Sequence, residues 1–125
     1  MILVDSSVWI AAAKPNNPES IKLAHEIEEN NIVITKIILV EVCQGSCTKE
    51  QFAELWDSFM GFKFLDVTDE IWFKSSTNYF RCRKKGLTLS TIDCLIATLA
   101  QAYDIILWTL DKVLICMNSV KVVTN

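Results

Sequence analysis

The sequence predicts an α/β three-layer sandwich, with a central parallel sheet of about five short strands and helices on both faces. Three observations lead there. Short apolar, β-prone runs alternate with capped helical segments along the whole chain, the pattern of strand-helix-strand units. At 125 residues the chain can bury one core, so these units must share one sheet and form one domain over 1–125. The composition is 51% hydrophobic with only three Gly and two Pro, which excludes a disordered or linker-dominated chain.

Each element has a local reason. Residues 1–4 are an apolar strand stopped by Asp5, after which Ser6 or Ser7 can cap a helix through residues 8–13. Lys14-Pro15-Asn16-Asn17-Pro18 is a turn, with Asn17 as N-cap and Pro18 at the first position of a helix reaching about Glu29. Residues 31–46 are β-prone throughout but too long for one strand. A break at Thr35 leaves a strand over 32–34 and a helix from Lys36 to about Gln44, ended by Gly45.

Thr48-Lys49-Glu50-Gln51 is a capping box that opens a helix to about Met60, and residues 62–67 form a strand after Gly61. Thr68 caps a long helix to Lys85, residues 87–89 connect, and Ser90 opens a helix through Asp93, Ile96, Ala97 and Ala100. Strands over 105–108 and 120–123 complete the set. Right-handed crossovers put strand 1 in the centre, two strands on one side and the later ones on the other.

No apolar run approaches the roughly 18 residues of a membrane span, and the start of the chain lacks a secretory pattern, so a soluble cytoplasmic protein is expected. The five cysteines show no C-x-x-C and the one histidine is His25, which points to reduced, mostly buried thiols. The tryptophans at 9, 56, 72 and 108 lie in apolar patterns and are expected in the core.

Strand order reverses beside strand 1, and ligands of open α/β sheets bind at the carboxyl ends of strands flanking such a point. Asp5 ends strand 1 there, and Asp111 follows the strand over 105–108. Taken singly, either also suits a helix cap or a loop. Glu41 interrupts Ile37-Ile38-Leu39-Val40-Glu41-Val42-Cys43, so it has either a partner or an exposed face. Asp93 closes Ser90-Thr91-Ile92-Asp93, a capping pattern sufficient by itself to account for it.

Taken in order, Val4-Asp5-Ser6-Ser7, Leu39-Val40-Glu41-Val42, Thr91-Ile92-Asp93-Cys94-Leu95-Ile96-Ala97 and Trp108-Thr109-Leu110-Asp111 resemble the successive acidic motifs of PIN-domain ribonucleases. More closely, they resemble the VapC toxins of toxin-antitoxin systems, over essentially the whole chain. The resemblance implies a PIN-like fold and a metal-dependent endoribonuclease acting on single-stranded or looped RNA. It makes Asp5, Glu41, Asp93 and Asp111 the catalytic carboxylates, binding Mg²⁺ or Mn²⁺. It further implies a cognate antitoxin, a homodimer, and ordering roles for the hydroxyls of Ser6 and Thr109. Many relatives carry a further Asp where this chain has Val113, so a second metal is expected to bind weakly.

Physical chemistry agrees with that ligand set, because clustered carboxylates repel and hard divalent cations relieve the repulsion. The net charge of −3 does not exclude RNA, since setting aside the four acids leaves 12 basic against 11 acidic groups. Arg81, Arg83, Lys84 and Lys85 could meet backbone phosphates, although a helix C-terminus favours such a run anyway. Rival readings are a PIN module that binds without cutting, a nuclease without an antitoxin, and a phosphoacceptor receiver domain. The last lacks its acidic pair and late lysine here.

Overall fold

The structure is a computed structural model that describes residues 1–115 and 121–123. In chain order its elements are β1 (Ile2–Val4), α1 (Ser6–Ala12), α2 (Pro18–Glu28), β2 (Ile32–Ile34), α3 (Lys36–Cys43), α4 (Lys49–Phe59), β3 (Lys63–Phe64), α5 (Asp69–Lys84), α6 (Thr91–Ala102), β4 (Ile106–Trp108) and α7 (Lys112–Ile115). The four strands are all parallel and run in the order β3-β2-β1-β4, so the chain reverses direction across the sheet beside β1. Val4 stands level with Trp108, which brings the ends of β1 and β4 side by side.

Strand side chains alternate between two faces, and the core divides accordingly. Leu3, Val33 and Leu107 join Ile38, Leu39, Phe59, Ile71 and most of α6 in the larger cluster. Ile2, Val4, Ile32 and Trp108 pack with Val8 of α1 and Leu23 of α2 on the other face. Helices therefore cover both sides of the sheet, and burial on both faces is why each strand reads as a solid apolar run.

Side-chain caps start four helices where the sequence places them. Asn17 accepts from the Glu19 N–H, Thr48 from Gln51, Thr68 from Ile71 and Ser90 from Asp93. Gln51 completes its box one residue early, since its Oε1 takes the N–H of Cys47 at 3.0 Å. Gly86, at φ 81°, ends α5 in the left-handed region, and the Leu87 N–H closes back on the Cys82 carbonyl at 2.9 Å.

Some expectations need correction. The strand expected over 62–67 is paired only at Lys63–Phe64, because its neighbour β2 is three residues long and the Leu65 N–H caps the ladder on the Ile34 carbonyl at 2.8 Å. The expected fifth strand is a single bridge, Val122 to Leu107, on the β4 edge; Val120 lies outside the described residues. Lys112–Ile115 is a short helix with no sequence precursor, started by the Asp111 Oδ1 accepting the Val113 N–H at 2.9 Å.

Trp9 packs edge-on against Phe59 and Trp108 is buried, as expected, whereas Trp56 and Trp72 are exposed. Cys43, Cys82 and Cys94 are buried free thiols, Cys47 is an exposed one, and Cys116 lies outside the described residues. No helix among the described residues is long and apolar enough to cross a membrane.

Candidate active site

The site is built where β1 and β4 end. Asp5 is the N-cap residue of α1, yet its carboxylate makes no cap bond and is turned toward the β4 loop instead. It is 4% exposed. Its Oδ2 accepts from Ser7 Oγ and from Thr109 Oγ1, both at 2.8 Å. Each hydroxyl also accepts a loop N–H: Leu110 donates to Ser7 at 3.1 Å, and Asp111 donates to Thr109 at 3.0 Å.

A hydroxyl has one proton to give. With both protons committed to Asp5, the 3.5 Å approach of Ser7 Oγ to Thr109 Oγ1 is a contact without a shared proton. The pair thus forms a clamp that fixes the Asp5 carboxylate and ties the loop carrying Asp111 to the start of α1.

Glu41 comes from the middle of α3, with Ile38 and Leu39 buried before it and Val40 exposed beside it. Its Oε1 is buried without a hydrogen-bond partner while the carboxylate also accepts from the Ser6 side chain, so the expected partner is present for one side of the group only. Burial raises its pKa above the ordinary 4.5, with the Asp5 and Asp93 charges adding to the rise and a hydrogen bond from the Ser6 side chain opposing it.

Asp93 lies in the first turn of α6, where its N–H donates to Ser90 Oγ at 3.0 Å. The capping role read from the sequence is therefore real for the backbone. Burial is the largest cause raising its carboxyl pKa, a hydrogen bond from Ser90 lowers it, and the Asp111 and Asp5 charges raise it again. Asp93 is also within hydrogen-bonding reach of Asp111, and that contact favours its protonated form.

The four predicted acids thus sense one another from four separate elements. Among the described residues, no three acidic, histidine or cysteine groups already converge as a ready metal-ligand set. The donor chemistry still fits a hard divalent ion: every donor is an oxygen, and Glu41 Oε1 is a buried acceptor with no proton to take.

The remaining predicted positions are distributed unevenly. Ser6 serves Glu41 and Thr109 serves Asp5, but the hydroxyl tied most closely to Asp5 is Ser7, which the sequence offered only as an alternative cap. Val113 packs against the larger apolar cluster. Arg81, Arg83, Lys84 and Lys85 are all exposed at the end of α5, joined by a short connection to the α6 turn that bears Asp93. They do not share a face: at 100° per residue, Arg81 and Lys85 lie on one side of α5 and Arg83 on the opposite side.

Comparison with known proteins agrees with this architecture. The structure superimposes on the VapBC2 complex of Rickettsia felis bound to a DNA fragment from its promoter, with a TM-score of 0.80, 24% identity, and coverage of 98% of this chain and 97% of that one. A toxin-antitoxin complex from Klebsiella pneumoniae gives 0.77 at 21% identity, covering 99% and 97%. VapC20 of Mycobacterium tuberculosis, a sarcin-ricin loop cleaving toxin, gives 0.71 at 13%, covering 97% and 99%. A search of curated proteins finds no significant match. The PIN domain model matches residues 2–117, and the chain belongs to the PIN domain family.

Proposed function

We propose that this protein is a metal-dependent endoribonuclease acting on single-stranded or looped RNA, and the toxin of a toxin-antitoxin pair. PIN proteins are generally nucleases, and the observation that supports the reading here is the constellation of Asp5, Glu41, Asp93 and Asp111, with the unpartnered Glu41 Oε1 among them. The rival of a module that binds without cutting leaves those mutually repelling, desolvated carboxylates without a use.

In this reading the four carboxylates hold Mg²⁺ or Mn²⁺. Bound there, the ion acidifies water and offsets the charge of the scissile phosphate. The protein supplies the positioning. Ser7 and Thr109 hold Asp5 in one orientation, and Ser6 orients Glu41. Glu41 and Asp93 keep protons more readily than ordinary carboxyls and release them to a cation. Basic side chains at the end of α5 bind phosphates, and unpaired bases, unlike A-form grooves, are open to reading.

The partner reading rests on a second feature. An open apolar groove of about 800 Å³, lined by Trp9, Ile10, Leu23, Leu55, Phe59 and Phe62 among others, runs between α1, α2 and α4. Helix α1 connects it to Asp5, a span of roughly 10 Å for seven residues. An antitoxin segment whose apolar side fills the groove would carry a basic side chain to the carboxylates, in competition with the cation. A cytoplasmic homodimer completes the proposal.

The test is digestion of RNA by highly purified protein with Mg²⁺, Mn²⁺ or EDTA. Cleavage is expected with either ion and none with EDTA; cleavage that survives EDTA overturns the reading.

A further inference from the structure

Helices α1 to α6 each begin on a residue whose side chain is able to cap them. Asn17, Thr48, Thr68 and Ser90 do so, each accepting an N–H of its own first turn. Asp5 and Thr35, at the N-caps of α1 and α3, make no side-chain cap bond. These two exceptions are neighbours in the sheet. The parallel register that sets Ile2 beside Ile32 and Leu3 beside Val33 carries on to set Asp5 beside Thr35, and the pairing of Val4 with Trp108 sets Thr109 on the other side of Asp5.

Thr35 is 2% exposed, and its backbone is extended, as that of Asp5 is, with ψ of 156° and 154°. The alternation of the strands therefore continues through both, so that Thr35 shares the face of Val33 and Asp5 that of Leu3. This is the face of the larger apolar cluster, to which α3 and α6, the helices bearing Glu41 and Asp93, contribute. For Asp5 that direction leads into the site, where its Oδ2 accepts from Ser7 and Thr109. Thr35 stands one strand over, at the usual spacing of roughly 4.8 Å, and its hydroxyl makes no side-chain hydrogen bond among the described residues. Beyond it the register of Ile34 with Phe64 sets Leu65, so its one polar neighbour across the sheet is Asp5.

We propose that Thr35 is a positioning residue of the cation site, its hydroxyl oxygen accepting a hydrogen bond from a water that the bound Mg²⁺ or Mn²⁺ retains beside Asp5. Hard divalent ions keep part of their water shell, and a water polarised by the ion is a strong donor in need of an acceptor. A hydroxyl serves that need without adding a further negative charge to Asp5, Glu41, Asp93 and Asp111. A buried hydroxyl without a partner is otherwise a cost that an apolar side chain of the same shape would avoid.

The proposal deepens the metal-dependent reading above and rests on it. Calorimetric titration of Mn²⁺ into the RNA-free chain tests it in two variants. Thr35→Val keeps the shape and removes the hydroxyl, and should weaken the firm Mn²⁺ site by about tenfold or more. Thr35→Ser keeps the hydroxyl and should bind Mn²⁺ as the unmodified chain does. Thermal melts separate this role from a structural one. Without the ion the hydroxyl has no bond to lose, so Thr35→Val should melt no lower than the unmodified protein in EDTA, and added Mn²⁺ should raise its melting temperature by less.

Equal Mn²⁺ affinity in Thr35→Val and the unmodified chain refutes this role and leaves the metal-dependent reading intact. A Thr35→Val protein that melts lower in EDTA, with Thr35→Ser binding Mn²⁺ no better than it does, assigns the residue to the fold and overturns the proposal as well. Loss of RNA affinity in Thr35→Val with Mn²⁺ affinity unaltered gives the hydroxyl to a phosphate instead, which also overturns it. An unmodified chain that binds no Mn²⁺ refutes both the proposal and the reading on which it rests.

Discussion

Ser7 and Thr109 each give their only proton to one oxygen of Asp5, so neither substitutes for the other. Ser7→Ala and Thr109→Val should each lower Mn²⁺-supported cleavage by about 10- to 100-fold, the usual effect of losing a hydrogen bond that orients a metal-binding carboxylate. Ser6→Ala should act through Glu41 instead, and because Glu41 and Asp5 interact, the effects of the two serine replacements are coupled rather than additive. Choosing between the two serines was beyond the sequence. They differ by 100° of helical rotation, and a helix start is readable only to within a residue or two. The four acids were singled out by their ordered resemblance to the family's motifs, since taken one by one Asp5, Asp93 and Asp111 equally suit caps or loops.

The same residue scale carries a pH prediction. A carboxyl whose pKa is raised in the folded chain binds a proton more readily there than in the unfolded chain. Stability from this source therefore falls as pH rises through the window between the ordinary and the raised values. For Glu41 and Asp93 the full penalty is present above the raised values and absent below the ordinary 4.5 and 3.8. Glu41→Gln should thus raise the melting temperature of the metal-free protein at neutral pH. The gain should vanish below the ordinary glutamate value. Thermal melts in EDTA at the two pH values decide it, and equal gains at both would show that Glu41 bears no charge penalty.

At the scale of the element, the basic run Arg81, Arg83, Lys84 and Lys85 at the end of α5 is divided between two sides of the helix. Arg81 and Lys85 share a side of the helix, whereas Arg83 lies on the other side, toward the exposed Trp72, Phe73 and Phe80. Replacing Arg81 and Lys85 with Ala should reduce the slope of log RNA affinity against log salt by about 1.4, at roughly 0.7 per phosphate contact on a single strand. Arg83→Ala should leave the slope unchanged. Fluorescence titrations at several salt concentrations measure both, and an unchanged slope in the first variant would assign the pair to a solvated helix end.

Elements marked by local chemistry were the readable ones: four helices start on the side chains named for them. What failed depended on a neighbour. The length of β3 is limited by β2, the last strand is a single bridge at Val122 among the described residues, and α7 owes its first turn to the Asp111 carboxylate. Val113 shows the same dependence. Its spacing suggested a pocket position, and the turn begun by Asp111 packs it against the apolar core, where an added carboxylate would be desolvated.

For the whole molecule, alternation of strand and helix was enough to place β1 centrally and Asp5 beside the β4 loop. The buried side of α5 was not legible, because periodicity shows that Trp72 and Phe73 share a helix with Ile71 but not which side of that helix the core takes. The 51% hydrophobic composition fits both facts, since part of it lines the groove beside α1 and part lies exposed on α5.

Calorimetric titration of Mn²⁺ into the RNA-free protein tests most directly whether the four acids form a cation site. With four carboxylates available, one firm site is expected, and a second only when RNA phosphate is added. Asp5→Asn and Glu41→Gln should each weaken the firm site by at least about tenfold. Unaltered Mn²⁺ binding in both variants would place the metal elsewhere and contradict the assignment of the site.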